Sequence, residues 1–344
     1  MLRSLAIRHF RCFEKFGAEF APGLNLIVGP NAHGKTSLLE AACILLRLQS
    51  PRASRLTEVV QHDRRGFVVD GYFHERHLQF YYSAARRKLA LDGVEQKVPR
   101  EYLEIGRLVY FAMSDIELVR GGGETRRRFL DFVAAQRDPS YRKAVRDYER
   151  ALRSRNALLK APSPRRREIE AFDAPLLAAG NEMSRARAEL LAELQPHAGA
   201  AHAAISGARE GLELEYLRGA GADFAVSLAE ARGEEARLRQ TTVGPHRDDV
   251  QFRLNGRSST FASEGQQRTL VLALKLGAAR LLEERFGVPP LLLLDDIFGE
   301  LDTGRRLALL EALPAASQKI ITTTTLAWWQ PEQTAPVLRL GGEG

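Results

Sequence analysis

The octapeptide Gly29-Pro30-Asn31-Ala32-His33-Gly34-Lys35-Thr36 has the form GxxxxGKT and stands between an apolar run and a helical pattern, Leu38–Leu46. Its glycines let successive backbone N–H groups turn inward around phosphate oxygens, and the helix behind it presents a positive N-terminal end. Lys35 is then expected to reach the β- and γ-phosphates of a nucleoside triphosphate, with the Thr36 hydroxyl ligating Mg²⁺. A second group is acidic. Leu291–Leu294 is an unbroken apolar run ending in Asp295-Asp296, the pattern of a strand buried on both faces. In a phosphate-loop protein the carboxyl end of such a strand lies beside the phosphates. Asp295 is therefore expected to hold Mg²⁺, directly or through water, and Asp296 to polarise the attacking water. A third group, Ser263-Glu264-Gly265-Gln266, opens a helical run. Ser263 and Gly265 there make a second anion-binding helix end, the plainer account being that Ser263 is an ordinary N-cap.

Three stretches must carry these residues. In residues 1–120 short apolar runs alternate with turn signals. Leu24–Gly29 reads as a buried strand, residues 67–98 as three β-rich runs with a hairpin signal at Asp92-Gly93, and Arg107–Met113 as a further strand. From about Glu124 to Gly207 apolar residues recur at helical spacing, broken at Pro162-Ser163-Pro164, which predicts a compact lobe of long helices. Beyond Gly211 strand patterns return, with a hairpin signal at Asn255-Gly256. A helix follows from Gln266 to about Phe286, then the acidic strand, a helix near Arg305–Leu313 and a last strand from Lys319. No internal repeat stands out.

The chain has 344 residues, 44% of them apolar and 27% charged, a globular balance that excludes global disorder and collagen. Its two cysteines, Cys12 and Cys43, form no CxxC, which excludes a disulfide framework and suits a reducing cytoplasm. The start has no run apolar enough for a signal peptide, and no stretch of eighteen apolar residues occurs, so no membrane span is expected. The formal charge is +7, and residues 121–170 alone hold fourteen Lys/Arg against seven Asp/Glu. A basic segment on a neutral body points to a polyanion. Arg126–Arg128, Arg142, Lys143, Arg146, Arg150, Arg153, Arg155 and Arg165–Arg167 are candidates for DNA phosphates, giving salt-sensitive binding with little sequence preference. The competing account is a solvated helix face with i,i+4 pairs to Asp147 and Glu149. Arg126–Arg128 also suit an interface within the lobe.

The order of phosphate loop, S-x-G-Q helix start and Asp-Asp strand resembles that of ABC-type ATPase heads. It is most similar to the RecF family, bacterial recombination and DNA-repair ATPases related to SMC proteins. Carrying the resemblance are Phe10-Arg11-Cys12, Gly29–Ala41, Arg126–Asp131, Thr241–Asp249, Ser263–Thr269, Leu291–Asp302 and Ile321–Thr325. It implies an α/β fold: a P-loop ABC-type ATPase head with an antiparallel β subdomain, residues 1–120 and 208–344, interrupted by a helical lobe, residues 121–207. It implies ATP and Mg²⁺ as cofactors, with Arg11 joining Gly29–Thr36 in holding the nucleotide. Two subunits would pair head to head, Lys35 and Thr36 of one and Ser263 and Gly265 of the other sandwiching ATP. Gly299–Asp302 would cross the dimer seam, with Asp248 and Asp249 nearby. DNA (single-stranded, double-stranded or gapped) and RecR- or RecO-type mediators are the implied partners, and helping to load a recombinase the implied task.

Some positions depart from the pattern. His33 stands where related loops often have Gln or Ser, and reads as an exposed loop side chain. Asp296 replaces the Glu of many ABC heads, implying slow hydrolysis suited to a switch. Thr322–Thr325 occupies the place of the transporter heads' His and offers only hydroxyls to a γ-phosphate. Asp115 is a weak candidate for the missing Q-loop residue. The alternatives are an ATPase subunit of a membrane transporter and a small SMC-like structural head. Neither explains the basic insertion flanked by no long heptad arms.

Overall fold

The computed structural model describes residues 1–208, 210–329 and 335–341, and within them all side chains but that of Glu300. The chain forms two compact units, Met1–Asp115 with Ala278–Gly344, and Ile116–Gly277.

The first unit opens with β1 (Leu2–Phe10), β2 (Phe13–Glu19), β3 (Leu24–Val28) and α1 (Lys35–Arg47), then β4 (Gly66–Phe73), β5 (Arg76–Ser83), β6 (Arg87–Leu91) and β7 (Val94–Glu95). A short α2 (Arg100–Glu104) leads to β8 (Leu108–Ala112). Alternation builds the antiparallel sheet β2-β1-β4-β5-β6-β7. Phe67, Val69 and Phe73 of β4 and Leu78, Phe80 and Tyr82 of β5 are buried at period two, leaving the other face less buried and mostly polar. Asp92 and Gly93 take the positive φ that a tight hairpin needs.

The second unit carries α3 (Glu117–Arg120), α4 (Gly123–Arg137), α5 (Tyr141–Leu159), α6 (Arg166–Glu170) and α7 (Asp173–Ser206). On α5, Tyr141, Ala144, Tyr148, Ala151, Arg155 and Leu159 form one buried stripe at spacings of three and four, and this stripe packs on α7. Next come β9 (Leu212–Leu217), α8 (Phe224–Glu230), α9 (Arg232–Leu238), β10 (Asp249–Leu254) and β11 (Arg257–Ser258), then α10 (Glu264–Phe286), within which the unit boundary falls. The expected helical lobe ended at residue 207. In the structure β9 packs on α7 and β10 on α4, so the three-stranded sheet β11-β10-β9 belongs to the same compact unit as the helices. Ion pairs from the helices to Asp248 and Asp249 fasten it there.

Back in the first unit the chain adds β12 (Leu291–Asp295), α11 (Thr303–Ala312), β13 (Lys319–Thr323) and β14 (Val337–Arg339). These complete a parallel sheet ordered β14-β3-β13-β12-β8. The register sets Val28 beside Thr323, Thr322 beside Asp295, and Asp295 beside Ala112, so the carboxyl ends of four strands meet on one rim. Helix α1 packs against β8, β12 and β13 of this sheet and β1, β4 and β5 of the other. Leu38, Leu39, Ile44, Leu45 and Leu46 are all but fully buried there. At about 1.5–3 kcal/mol per large apolar side chain, this burial fixes the helix that starts at the phosphate loop.

Candidate nucleotide-binding site

The loop between β3 and α1 has the shape its glycines allow. Ala32 and Gly34 have φ of 65° and 87°, turning the peptide groups away from extended geometry just before the helix N-terminus. A Cβ on Gly34 would lie 2.3 Å from the Phe13 ring, and one on Gly29 2.6 Å from the Leu340 carbonyl oxygen, so both positions exclude larger residues. Lys35, 5% exposed, donates from Nζ to the carbonyl oxygens of Gly29 and Pro30 at 2.7 and 3.0 Å. Pro30, Asn31 and Ala32 are exposed. His33 is exposed too, its Nδ1 2.9 Å from the Asn31 carbonyl oxygen.

The sequence-distant acids meet this loop. Asp295, 8% exposed, accepts from the Thr36 hydroxyl and from the Thr322 hydroxyl at Oδ1, both at 2.9 Å, and from the Tyr110 hydroxyl at Oδ2, 2.8 Å. Burial and the adjoining carboxylate push the Tyr110 pKa well above its usual value, so the phenol stays a donor. Asp296 follows in the left-handed region, φ 55°, and its backbone N–H donates to Thr322 Oγ1 at 2.9 Å. Thr36 and Asp295 thus meet, with Asp296 next in the chain. Arg11 arrives with the β1–β2 turn that packs on Gly34. It is bound bidentately to buried Glu40 and to the Glu58 carbonyl, and the Glu40 bonds raise its pKa against the effect of burial.

In the Thr322–Thr325 segment Thr322 is fully buried with its hydroxyl engaged by the two aspartates, Thr323 is buried and donates to the Thr325 carbonyl, and Thr324 and Thr325 are exposed. Asp115, for its part, accepts from the Ala112 N–H. Sequence reasoning passed over Tyr110. Its signal was a lone hydroxyl in the otherwise apolar centre of β8.

In the second unit Ser263 caps α10. Its hydroxyl accepts from Gln266 N–H at 3.3 Å, while Gln266 Oε1 accepts from Ser263 N–H at 2.7 Å, a reciprocal capping box. Gly265 lies in the first helical turn, and the Gln266 amide also donates to Glu210. Asp302 caps α11 by accepting from Arg305 N–H; the Glu300 side chain of that Gly299–Asp302 segment lies outside the described residues.

The Gly244–Asp249 segment is built into the second unit. Asp248 is fully buried and accepts from Arg187, Ser184, Tyr216 and the Gly219 N–H. Burial opposes the charge on Arg187, but Asp131, Tyr141 and Asp248 overcome it and hold its pKa well above the usual value. Arg126 grips Asp249 bidentately. Asp248 is therefore a buried anchor. The basic candidates divide as well. Arg155, 1% exposed, bonds Asp173, Thr241 and Glu235 and is removed from the DNA set. Arg128, Lys143, Arg153 and Arg166 pair within their own helices, Arg165 pairs with Glu168 from just before α6, and Arg146, Arg150 and Arg167 are exposed.

A family model described as RecF/RecN/SMC N terminal domain matches residues 1–330. DNA replication and repair protein RecF of Synechococcus sp. (strain JA-2-3B'a(2-13)) is 40% identical, across 94% of this chain and 91% of that one. The chain belongs to the RecF family. A solved structure of the recombination mediator protein RecF-ATP in the RecFOR pathway superposes with a TM-score of 0.87 at 31% identity, covering 98% of this chain and 95% of that one. An SmcHead bound to the C-winged helix domain of ScpA shares the fold alone, with a TM-score of 0.53 at 14% identity over 94% of this chain and 89% of that one. The fold is therefore the mixed α/β head of ABC-type ATPases, as expected. The transporter alternative gains no support from these relatives. Among the described residues no helix is long and apolar enough to cross a membrane.

Proposed function

We propose that this RecF-family chain is an ATP-gated DNA-binding protein of recombinational repair and replication-fork maintenance. Its nucleotide state sets its grip on gapped, single-stranded and double-stranded DNA, and it helps to load a recombinase with RecR- and RecO-type partners. The observation that carries the nucleotide reading is the 2.9 Å bond from Thr36 to Asp295, two residues 259 positions apart brought to one rim.

The residues fit ATP and Mg²⁺. Lys35 already points its ammonium at oxygen atoms of the loop, and Ala32 and Gly34 take the left-handed backbone that a phosphate cradle uses. The described residues contain no cluster of three His, Cys, Asp or Glu. The Thr36 hydroxyl and the Asp295 carboxylate are the hard oxygen groups that would hold Mg²⁺. Bound there, Mg²⁺ supplies charge neutralisation on the β- and γ-phosphates. Lys35 cancels further charge, and Gly29–Thr36 with Arg11 bind and orient the triphosphate. Asp296 accepts a proton from water as its oxygen attacks the γ-phosphorus. The bond from that phosphorus to the bridging oxygen breaks, and ADP leaves with the electron pair. A short Asp in this role makes hydrolysis slow, and DNA stimulates it.

Two copies associate head to head, Ser263 and Gly265 of each approaching the nucleotide of the other. Phe261, 90% exposed just before Ser263, supports an interface at this end of α10, because an isolated phenyl in water gains by being covered. Exposed cations on α5 and α6 meet the DNA backbone. Sedimentation velocity tests the pairing. The wild type is expected to become a dimer with Mg²⁺-ATP, while Lys35→Met and Ser263→Arg stay monomeric. A dimer indifferent to nucleotide, or Ser263→Arg pairing like the wild type, would remove this reading.

A further inference from the structure

We infer that Thr322 and Tyr110 are positioning residues for ATP hydrolysis, holding the Asp295-Asp296 pair in register with the phosphate loop. The inference rests on the nucleotide reading above and deepens it. Three adjacent parallel strands supply the parts: β8 brings Tyr110, β12 the aspartates and β13 Thr322.

One hydroxyl does two things at once. Thr322 Oγ1 donates to Asp295 Oδ1 and accepts the N–H of Asp296, each at 2.9 Å. The side chain that holds the cation and the backbone that aims the base are thereby tied to a single buried atom. Asp296 stands in the left-handed region, φ 55°, and this bond holds its peptide there. Tyr110 fixes the other carboxylate oxygen from the opposite strand at 2.8 Å. With both oxygens constrained, Asp295 cannot rotate about its Cβ–Cγ bond without breaking a buried bond, and Thr36 meets it in one geometry. Thr322 is fully buried, and both hydroxyls donate to Asp295, so the two residues act through the aspartates.

The division of labour is specific. Loss of the Thr322 hydroxyl removes one tie from the Asp296 peptide, while Thr36 and Tyr110 still hold Asp295, so it should lower kcat and leave KM alone. Loss of the Tyr110 hydroxyl loosens the cation ligand and should appear in Mg²⁺ dependence. Outer-sphere partners of metal ligands typically change affinity or activity by about 10–100-fold.

The test uses the full chain as wild type, Thr322→Val, Thr322→Ser, Tyr110→Phe and Lys35→Met. Fluorescent ATP-analogue binding is measured with Mg²⁺ and with EDTA, alongside steady-state hydrolysis and thermal melting. Thr322→Val is expected to lose about 10–100-fold in kcat with KM within about threefold of wild type, and Thr322→Ser to recover most of it. Tyr110→Phe is expected to need about tenfold more Mg²⁺ for the same analogue affinity, with EDTA-state binding unchanged. Wild-type kcat in Thr322→Val, or a Thr322→Ser as impaired as Thr322→Val, would overturn the role of Thr322. Unaltered Mg²⁺ dependence in Tyr110→Phe would overturn that of Tyr110. Should Lys35→Met bind the analogue as wild type does, the nucleotide reading itself falls, a result separate from either.

Discussion

His246 shows how tightly single atoms are used in the second unit. Its Nδ1 faces the Tyr148 hydroxyl at 2.6 Å and its Nε2 the Thr241 carbonyl oxygen at 3.1 Å. The tyrosine donates to Nδ1, so the ring is neutral with its proton on Nε2. Burial, with Arg247 and Arg127 nearby, lowers its pKa from 6.5 to about 4, although the bond to Thr241 works the other way. The unfolded chain therefore takes up the proton first. The contribution to stability is complete above pH 6.5 and is lost as the pH falls toward 4. Between pH 7.5 and 5 the wild type should lose about 2 kcal/mol more than His246→Gln, read from urea denaturation at both values; equal losses would contradict this neutral, buried imidazole. At this scale the sequence was legible where chemistry demands fixed spacing, as in Gly29–Thr36 and Asp295-Asp296. It was not legible where partners are far apart in the chain. Tyr110 and Asp295 are separated by 185 residues, and Asp248 and Asp249 are held by Arg187 of α7 and Arg126 of α4.

Helix α7 carries the packing of the second unit. It runs for 34 residues with Pro196 inside it, and it packs against α4, α5 and β9. Gly180 marks a close approach, since a Cβ there would lie 2.6 Å from Cε1 of buried Phe224 and 3.1 Å from Cε2 of Tyr148. Two effects compete in Gly180→Ala: helix propensity favours alanine by about 1 kcal/mol, and overpacking costs about 1–3 kcal/mol. Both rings are buried, so overpacking should win and the denaturation midpoint should fall; a rise would show that the rings yield at little cost. Most elements could be read from period and turn chemistry, including the Asn255-Gly256 hairpin, whose two residues have φ of 49° and 73°. The lobe boundary could not. Nothing local in β9 and β10 reveals that their partners are α7 and α4, because side-chain period marks a buried face and does not name what covers it.

Across the whole molecule the +7 charge is concentrated in residues 121–170, but only part of it faces solvent. Arg155 is buried among acids and Arg126 is clamped by Asp249, whereas Arg146, Arg150, Arg153 and Arg165–Arg167 are exposed. Exposed pairs within a helix are weak and screened by solvent, so their arginines can exchange an acid for a phosphate at little cost. Steep salt dependence follows, because each phosphate contact releases condensed counterions. The most direct measurement is fluorescence anisotropy of a labelled gapped duplex with and without Mg²⁺-ATP, for wild type, Lys35→Met and Ser263→Arg over a salt series. The expected result is tighter binding by the wild type with ATP, no tightening in either variant, and log affinity falling by about 0.9 per phosphate contact per decade of salt. Binding that ignores ATP in all three proteins would contradict an ATP-gated DNA switch.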